Sequence, residues 1–181
     1  MKRIAWGITG SGDLIKETYE VMRDIKNRTD IEMMVFLSKD GEVVMKWYRM
    51  WDSIQRDFPN FKTEGGPNSP FIAGPLQVGY YDALIIAPAT ANTVAKLVHG
   101  IADTLVTNAV SQTAKGQTPI YVLAVDRERG SVKTYSPEGR EMELKMREVD
   151  VTNTEKLGQM ENITILSSPE DIYDIVGIEK S

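Results

Sequence analysis

Asp82-Ala83-Leu84-Ile85-Ile86-Ala87-Pro88-Ala89-Thr90-Ala91-Asn92-Thr93 opens the stretch, residues 81–115, whose reading decides the fold. Its first part is a short apolar run rich in Ile and Leu, the pattern of a buried strand. Pro88 has no backbone donor and is expected to stop the ladder there. Small residues bearing hydroxyls and an amide follow. Val94, Leu97, Val98 and Ile101 then recur at helical spacing. The reading is strand, polar turn, helix. The first turn of a helix leaves backbone N–H groups unpaired, so such a turn suits an anion or a small ligand. Thr90 or Asn92 acting only as a helix cap accounts for the same residues equally well.

The same unit recurs outward from this stretch. Residues 2–9 read as a first strand, broken by Gly10-Ser11-Gly12-Asp13 and followed by an amphipathic helix over 14–27. Residues 32–38 form a nearly continuous apolar run, as in a strand buried on both faces of a parallel sheet. Residues 42–57 are helical by pattern, and 59–75 form a long loop rich in Gly and Pro. A helix over 104–115 closes at Gly116, and residues 119–125 give the next strand. Residues 132–146 alternate around Pro137-Glu138-Gly139-Arg140, a β-hairpin pattern. Thr152-Asn153-Thr154-Glu155 resembles a capping box, residues 163–166 a last strand, and Ser168-Pro169 a helix start. The expectation is α/β: one domain over residues 1–181, an open parallel Rossmann-like or flavodoxin-like sheet in three layers, with a hairpin insertion near the C-terminus.

Composition narrows the chemistry. The chain has 181 residues, enough for one compact domain and few for two. There is no cysteine, which excludes disulfides, a thiolate nucleophile and cysteine-ligated iron–sulfur clusters. His99 is the only histidine, so no histidine-rich metal site is expected. A net charge of −5 argues against nucleic-acid binding. No apolar run reaches membrane-span length and the N-terminus lacks a signal-peptide pattern, which fits a cytoplasmic protein.

In an open parallel sheet, ligands bind beyond the carboxyl ends of the strands. Three of those ends carry small or hydroxylated residues: Gly10, Ser11 and Gly12; Ser38; and Thr90, Ala91, Asn92 and Thr93. Gly7-x-x-Gly10-x-Gly12 is not the dinucleotide fingerprint, and Ser38 stands where a ribose-binding carboxylate would be expected. Together the three ends favour a mononucleotide. Asp13 is an objection, because a carboxylate near a phosphate repels it.

Ala87-Pro88-Ala89-Thr90-Ala91-Asn92-Thr93, continued by Ala95-Lys96 and Gly100-Ile101-Ala102-Asp103, resembles the signature of the flavin-dependent cysteine-decarboxylase superfamily. Ile8-Thr9-Gly10-Ser11 and Ser38 sit where that superfamily places its other flavin-mononucleotide contacts. In more detail, residues 68–77 and 136–140 are similar to the archaeoflavoproteins, relatives of archaeal dihydromethanopterin reductase. The resemblance implies bound FMN, with Gly10, Ser11, Gly12 and Ser38 at the phosphate end. Thr90, Ala91, Asn92 and Thr93 would hold phosphate, ribityl or ring edge. It also implies trimers, or higher assemblies of them, with the flavin near a subunit interface, and electron transfer to a small acceptor. The decarboxylases' Pro-x-Met-Asn-x-x-Met-Trp is replaced by Ala124-Val125-Asp126-Arg127. Val125 stands where flavin prenyltransferases carry a basic residue for an extra phosphate. A prenyltransferase-like or decarboxylase-like enzyme and a non-catalytic flavin-binding protein remain the alternatives, and no catalytic residue is assigned.

Trp47 and Trp51, one turn apart within residues 42–57, are expected to share a helix face, with Lys46, Arg49 and Arg56 interleaved. A core or subunit-interface stripe explains this pattern. So does a basic rim that steers in an acidic ferredoxin as electron donor.

Overall fold

The computed structural model describes residues 2–180. Among these, parallel strands pair in the order β3 (Phe61–Thr63), β2 (Glu32–Leu37), β1 (Arg3–Ile8), β4 (Ala83–Ala89), β5 (Ile120–Ala124) and β8 (Ile163–Ile165). The sequence runs outward from β1 to one edge, returns to β4 and runs to the other. A crevice therefore opens between β1 and β4, where the strand order reverses.

Both faces are covered. On one, Ile4, Trp6 and Ile8 pack with Met22 and Ile25 of α1 (Ile15–Arg28), Ile54 of α3 (Trp51–Asp57) and Val176 of α8 (Asp171–Val176). On the other, Ala5, Phe36 and Ile86 meet Val94 and Leu97 of α5 (Ala91–Val98) and Val106 and Val110 of α6 (Leu105–Thr113). Each fully buried Ile or Leu contributes about 1.5–3 kcal/mol. The remaining helices are α2 (Lys39–Trp47), α4 (Ala73–Gln77) and α7 (Glu148–Leu157). The expected hairpin is present as β6 (Ser131–Tyr135) and β7 (Glu141–Lys145), an antiparallel pair separate from the main sheet.

Several local expectations give way to tertiary packing. Strand β4 does not stop at Pro88. It continues to Ala89 with a register shift against β5 between Ile86 and Ala89. The missing donor is tolerated at this irregularity, and the Pro88 carbonyl accepts from both the backbone and the hydroxyl of Thr9. Residues 42–57 are not one helix. The chain breaks at Arg49, which has φ 58°, so Met50 is buried and Trp51 meets Phe61 edge-on at 5.4 Å. Trp47 and Trp51 thus lie on different helices. The loop over residues 59–75 contains β3 and the start of α4. Thr152 to Glu155 lie inside α7, whose N-cap is Arg147. Ser168 does not cap α8; the Asp171 carboxylate instead accepts the Ser167 and Ser168 N–H groups. α6 ends with Ala114 as C-cap, and Gly116 serves a close approach, since a Cβ there would lie 2.4 Å from the Gln77 carbonyl oxygen.

Trp6 ties the central strands together. It is fully buried, meets Phe58 edge-on at 5.3 Å, and its indole N–H donates to the Ala87 carbonyl at 2.7 Å. Trp6→Phe leaves that carbonyl without its donor and opens a void. It is expected to lower stability by about 2–3 kcal/mol, read as a shift in the urea midpoint at constant slope.

Candidate functional site

The loop after β1 is shaped by contact rather than by side chains. Gly10 lies against the first turn of α2, where an added Cβ would come within 2.5 Å of the Asp40 Cβ. Gly12 lies under Tyr48, where a Cβ would come within 2.2 Å of the phenol oxygen. Thr9, buried at the end of the strand, links this loop to the neighbouring one. Its hydroxyl donates to the Pro88 carbonyl at 2.8 Å and accepts the Thr90 N–H at 2.9 Å. Two helix N-termini flank the loop. Ser38 caps α2 by accepting the Gly41 N–H at 3.0 Å, and Thr90 caps α5 by accepting the Thr93 N–H at 3.2 Å. The Ser38 N–H donates to the Ile8 carbonyl, fixing α2 against β1.

Over these strand ends lies the hairpin. Val132 pairs with Leu144 and Thr134 with Met142, so these four share one face. That face, with Met146, covers a cavity of about 300 Å³ floored by Gly10, Ser11, Gly12, Thr90 and Ala91. A second chamber of about 470 Å³ adjoins it and takes in Lys16, Glu17, Arg127 and Lys133. Asp13, Tyr48, Val125 and Thr134 border both. Two bonds hold the roof down. The Tyr48 hydroxyl donates to the Tyr135 carbonyl at 3.0 Å, and the Thr134 hydroxyl donates to the Asp13 carboxylate at 3.4 Å.

Of the residues singled out in the sequence, five line the inner chamber: Gly10, Ser11, Gly12, Thr90 and Ala91. Ser38 and Thr93 do not. Each serves a helix start, and Thr93 is buried with its hydroxyl on Thr90 at 3.0 Å. Asn92 is exposed in the first turn of α5. His99 is an exposed C-cap of the same helix. The hairpin's place just after a strand end marks it in the sequence as a flap beside the ligand, but the sequence does not single out Tyr48, Asp126 or the individual residues of the hairpin's inner face as lining. Only the alternation of Val132 with Thr134 and of Met142 with Leu144 signalled that face.

The cleft is unusual in its charge. Burial raises the Asp13 carboxyl above its ordinary pKa, with Glu17 adding to the effect. Burial likewise raises Asp126, helped by Asp150 and by Asp13 itself. The Tyr48 phenol is raised by burial and then by Asp13. Arg127, the nearest cation after β5, donates to the Ala124 and Ser167 carbonyls at 3.0 and 2.6 Å. Its guanidinium is thus engaged with backbone. Among the described residues no acidic or histidine cluster could hold a metal ion, and no helix is long and apolar enough to cross a membrane.

Comparison with known proteins agrees with this fold. The family described as Flavoprotein matches residues 1–179. A Methanocaldococcus jannaschii protein without an assigned function is 44% identical over 97% of this chain and 95% of its own length. The dihydromethanopterin reductase (acceptor) of the same organism is 30% identical over 236 residues, covering 97% of this chain and 96% of the relative. Burkholderia xenovorans DmrB, solved in complex with FMN and described as a cubic protein cage for redox transfer, superposes with a TM-score of 0.81. It is 33% identical, covering 97% of this chain and 93% of that one. With a family match along nearly the whole chain and relatives this similar along nearly their whole lengths, the chain belongs to the flavoprotein family.

Proposed function

We propose that this protein binds FMN in the cleft between β1 and β4 and passes electrons from a reduced ferredoxin-like donor to a small acceptor of the dihydropterin type. The carrying observation is the donor set of the inner chamber. It offers glycine backbone at Gly10 and Gly12, the Ser11 hydroxyl, which here donates to the Asp13 carbonyl at 3.2 Å, the Thr90 hydroxyl, which also caps α5, and the N-terminus of α5, all without a cationic side chain. Backbone N–H groups and hydroxyls of this kind suit a phosphate. The flavin supplies the redox chemistry; the chain binds and orients it and excludes water. The apolar face of Val132, Met142 and Leu144 suits the flat ring of the acceptor. The FMN-bound DmrB and the reductase relatives support the same reading. The test is spectroscopic: purified protein is expected to be yellow and to release FMN on denaturation. Colourless protein that ignores added FMN would end the proposal. A trimer-based assembly is part of it, supported by the cage described for DmrB, and light scattering at micromolar concentration reads it directly.

The donor is expected to dock beside Tyr48, which borders both chambers and is flanked in sequence by Trp47 and Arg49. Trp47 is 64% exposed, and Lys46 lies over Trp51 at 4.6 Å. Lys46 and Arg56 are already paired with Glu42 and Asp57, so exposed Arg49 carries the test. Arg49→Glu is expected to slow flavin reduction by ferredoxin severalfold at low salt and little at high salt, because the Debye length is about 10 Å at 0.1 M. Reduction by dithionite should not change. Rapid reduction by NADPH with ferredoxin inert would overturn the donor.

A further inference from the structure

Two carboxylates border the cleft, on loops that meet only in the folded chain. Asp13 follows β1 and borders both chambers; Asp126 follows β5 and borders the inner one. Neither makes an ion pair among the described residues. Asp13 accepts the Thr134 hydroxyl on the roof and a backbone bond at Leu14, both of which favour its anion but are outweighed by burial and Glu17. We propose that Asp13 and Asp126 act as a pair that holds a proton in the cleft and delivers it to the acceptor. The inference rests on the flavin reading above and names the proton source which that reading leaves open.

The surroundings favour the protonated pair. Burial and neighbouring carboxylates act together, Glu17 of α1 on Asp13, and Asp150 of α7 and Asp13 on Asp126. The opposing cations are Arg127 toward Asp13 and Arg147 toward Asp126. Both are committed elsewhere: Arg127 to the Ala124 and Ser167 carbonyls, Arg147 to the Asp150 carboxylate through two bonds. Lys16, Lys133 and Glu128 border only the outer chamber. Two interacting carboxyls lose their protons in separate steps, and the second proton leaves a site with an anionic neighbour. A phosphate bound on the same floor would hold that proton more firmly still.

Reduction of a carbon–nitrogen double bond adds a hydride equivalent at carbon and a proton at nitrogen. A bound, reduced flavin would supply the first. For the second, a carboxyl O–H bond of the pair breaks as the N–H bond forms. The pair, which carries one negative charge while it holds the proton, is left with two and is refilled with one proton from solvent through the outer chamber. An acceptor that takes electrons alone needs none of this.

Asp13→Asn and Asp126→Asn keep shape and one acceptor oxygen while removing the transferable proton. With the FMN-loaded protein, dithionite-reduced, each is expected to slow reduction of dihydrofolate at least tenfold and reduction of ferricyanide far less. In the wild type, the dihydrofolate rate should fall as pH rises through the pair's pKa. A second readout needs no turnover. A carboxyl raised in the folded state stabilises the fold at low pH and loses that contribution as pH rises through the folded value. Asp126→Asn should therefore melt higher than wild type near neutral pH, and the gain should vanish near pH 4, about the unperturbed carboxyl value. Equal slowing with both acceptors, or an unaltered dihydrofolate rate, overturns the inference, as does a melting shift independent of pH. Failure to take up FMN would end the flavin reading itself, whereas FMN uptake with unaltered rates would end the inference alone.

Discussion

Gly10→Ala is expected to weaken FMN binding at least tenfold, about 1.4 kcal/mol, while leaving the chain folded. The added methyl would sit 2.5 Å from the Asp40 Cβ and 3.1 Å from its carbonyl carbon, inside the first turn of α2. Backbone cannot yield as the end of a flexible side chain can, so the loop after β1 must lift. That loop is not free to lift alone. Thr9 is hydrogen-bonded to both Pro88 and Thr90, and the Ser11 N–H donates to the Thr9 carbonyl at 2.9 Å. Lifting it disturbs the floor of the inner chamber and its spacing from α5 together. Gly66→Ala is the control, since nothing lies within 4 Å of a Cβ there. Titrating apo-protein with FMN by fluorescence quenching, with circular dichroism as the folding check, reads the difference. Equal affinities for the two variants would place the phosphate away from this loop.

The layered α/β fold was legible because its signal is hydrophobic periodicity, which packing reinforces. Residues of the β2 and β4 runs, such as Val35, Phe36, Ile85 and Ile86, are fully buried, as strands covered on both faces must be. The break at Arg49 was not legible. Its left-handed backbone carries no sequence mark, and what sets it is burial of Met45, Met50 and Ile54 on either side. Pro88 misled for a related reason. A rule about lost donors holds for a regular ladder, whereas this strand shifts register beside it. β3 has three residues, too few for any period to register. At the site, glycines and hydroxyls announced themselves as breaks in apolar runs. Ser38 and Thr93 did so too, although their hydroxyls serve helix starts. Asp13 read only as an objection to phosphate, because that Asp126 borders the same chamber emerges only in the fold. The sequence cannot show that an isolated carboxylate has an acidic neighbour across a cleft.

Excising the hairpin, with a short glycine linker joining Gly130 to Met146, is expected to lower acceptor turnover at least a hundredfold and FMN affinity less than tenfold. The ends allow it, since the Met146 N–H donates to the Gly130 carbonyl at 2.9 Å. The fold should survive, because β6 and β7 pair only with each other and a two-stranded ribbon adds little stability of its own. The loss in turnover follows from what the hairpin borders. Val132, Thr134 and Tyr135 line both chambers, and Ser136 and Gly139 line the outer one. Without them the outer chamber has lost one wall, and an acceptor has less to hold it against the reducing centre. A hundredfold loss corresponds to about 2.7 kcal/mol of transition-state stabilisation, well within what misplacement of a substrate costs. The phosphate end of the cofactor is different. Its floor is Gly10, Ser11, Thr90 and Ala91, none of which belongs to the hairpin. A milder pair, Tyr48→Phe with Thr134→Val, removes both latches and keeps the roof. It should raise the KM for acceptor more than it lowers kcat, since an unlatched roof still closes part of the time. The measurements are an FMN titration and steady-state kinetics on the wild type, the excised form and the double variant. Loss of FMN from a folded, excised protein would make the hairpin part of the cofactor's own wall, and acceptor selection would then have to lie with α2 and the loop after β5.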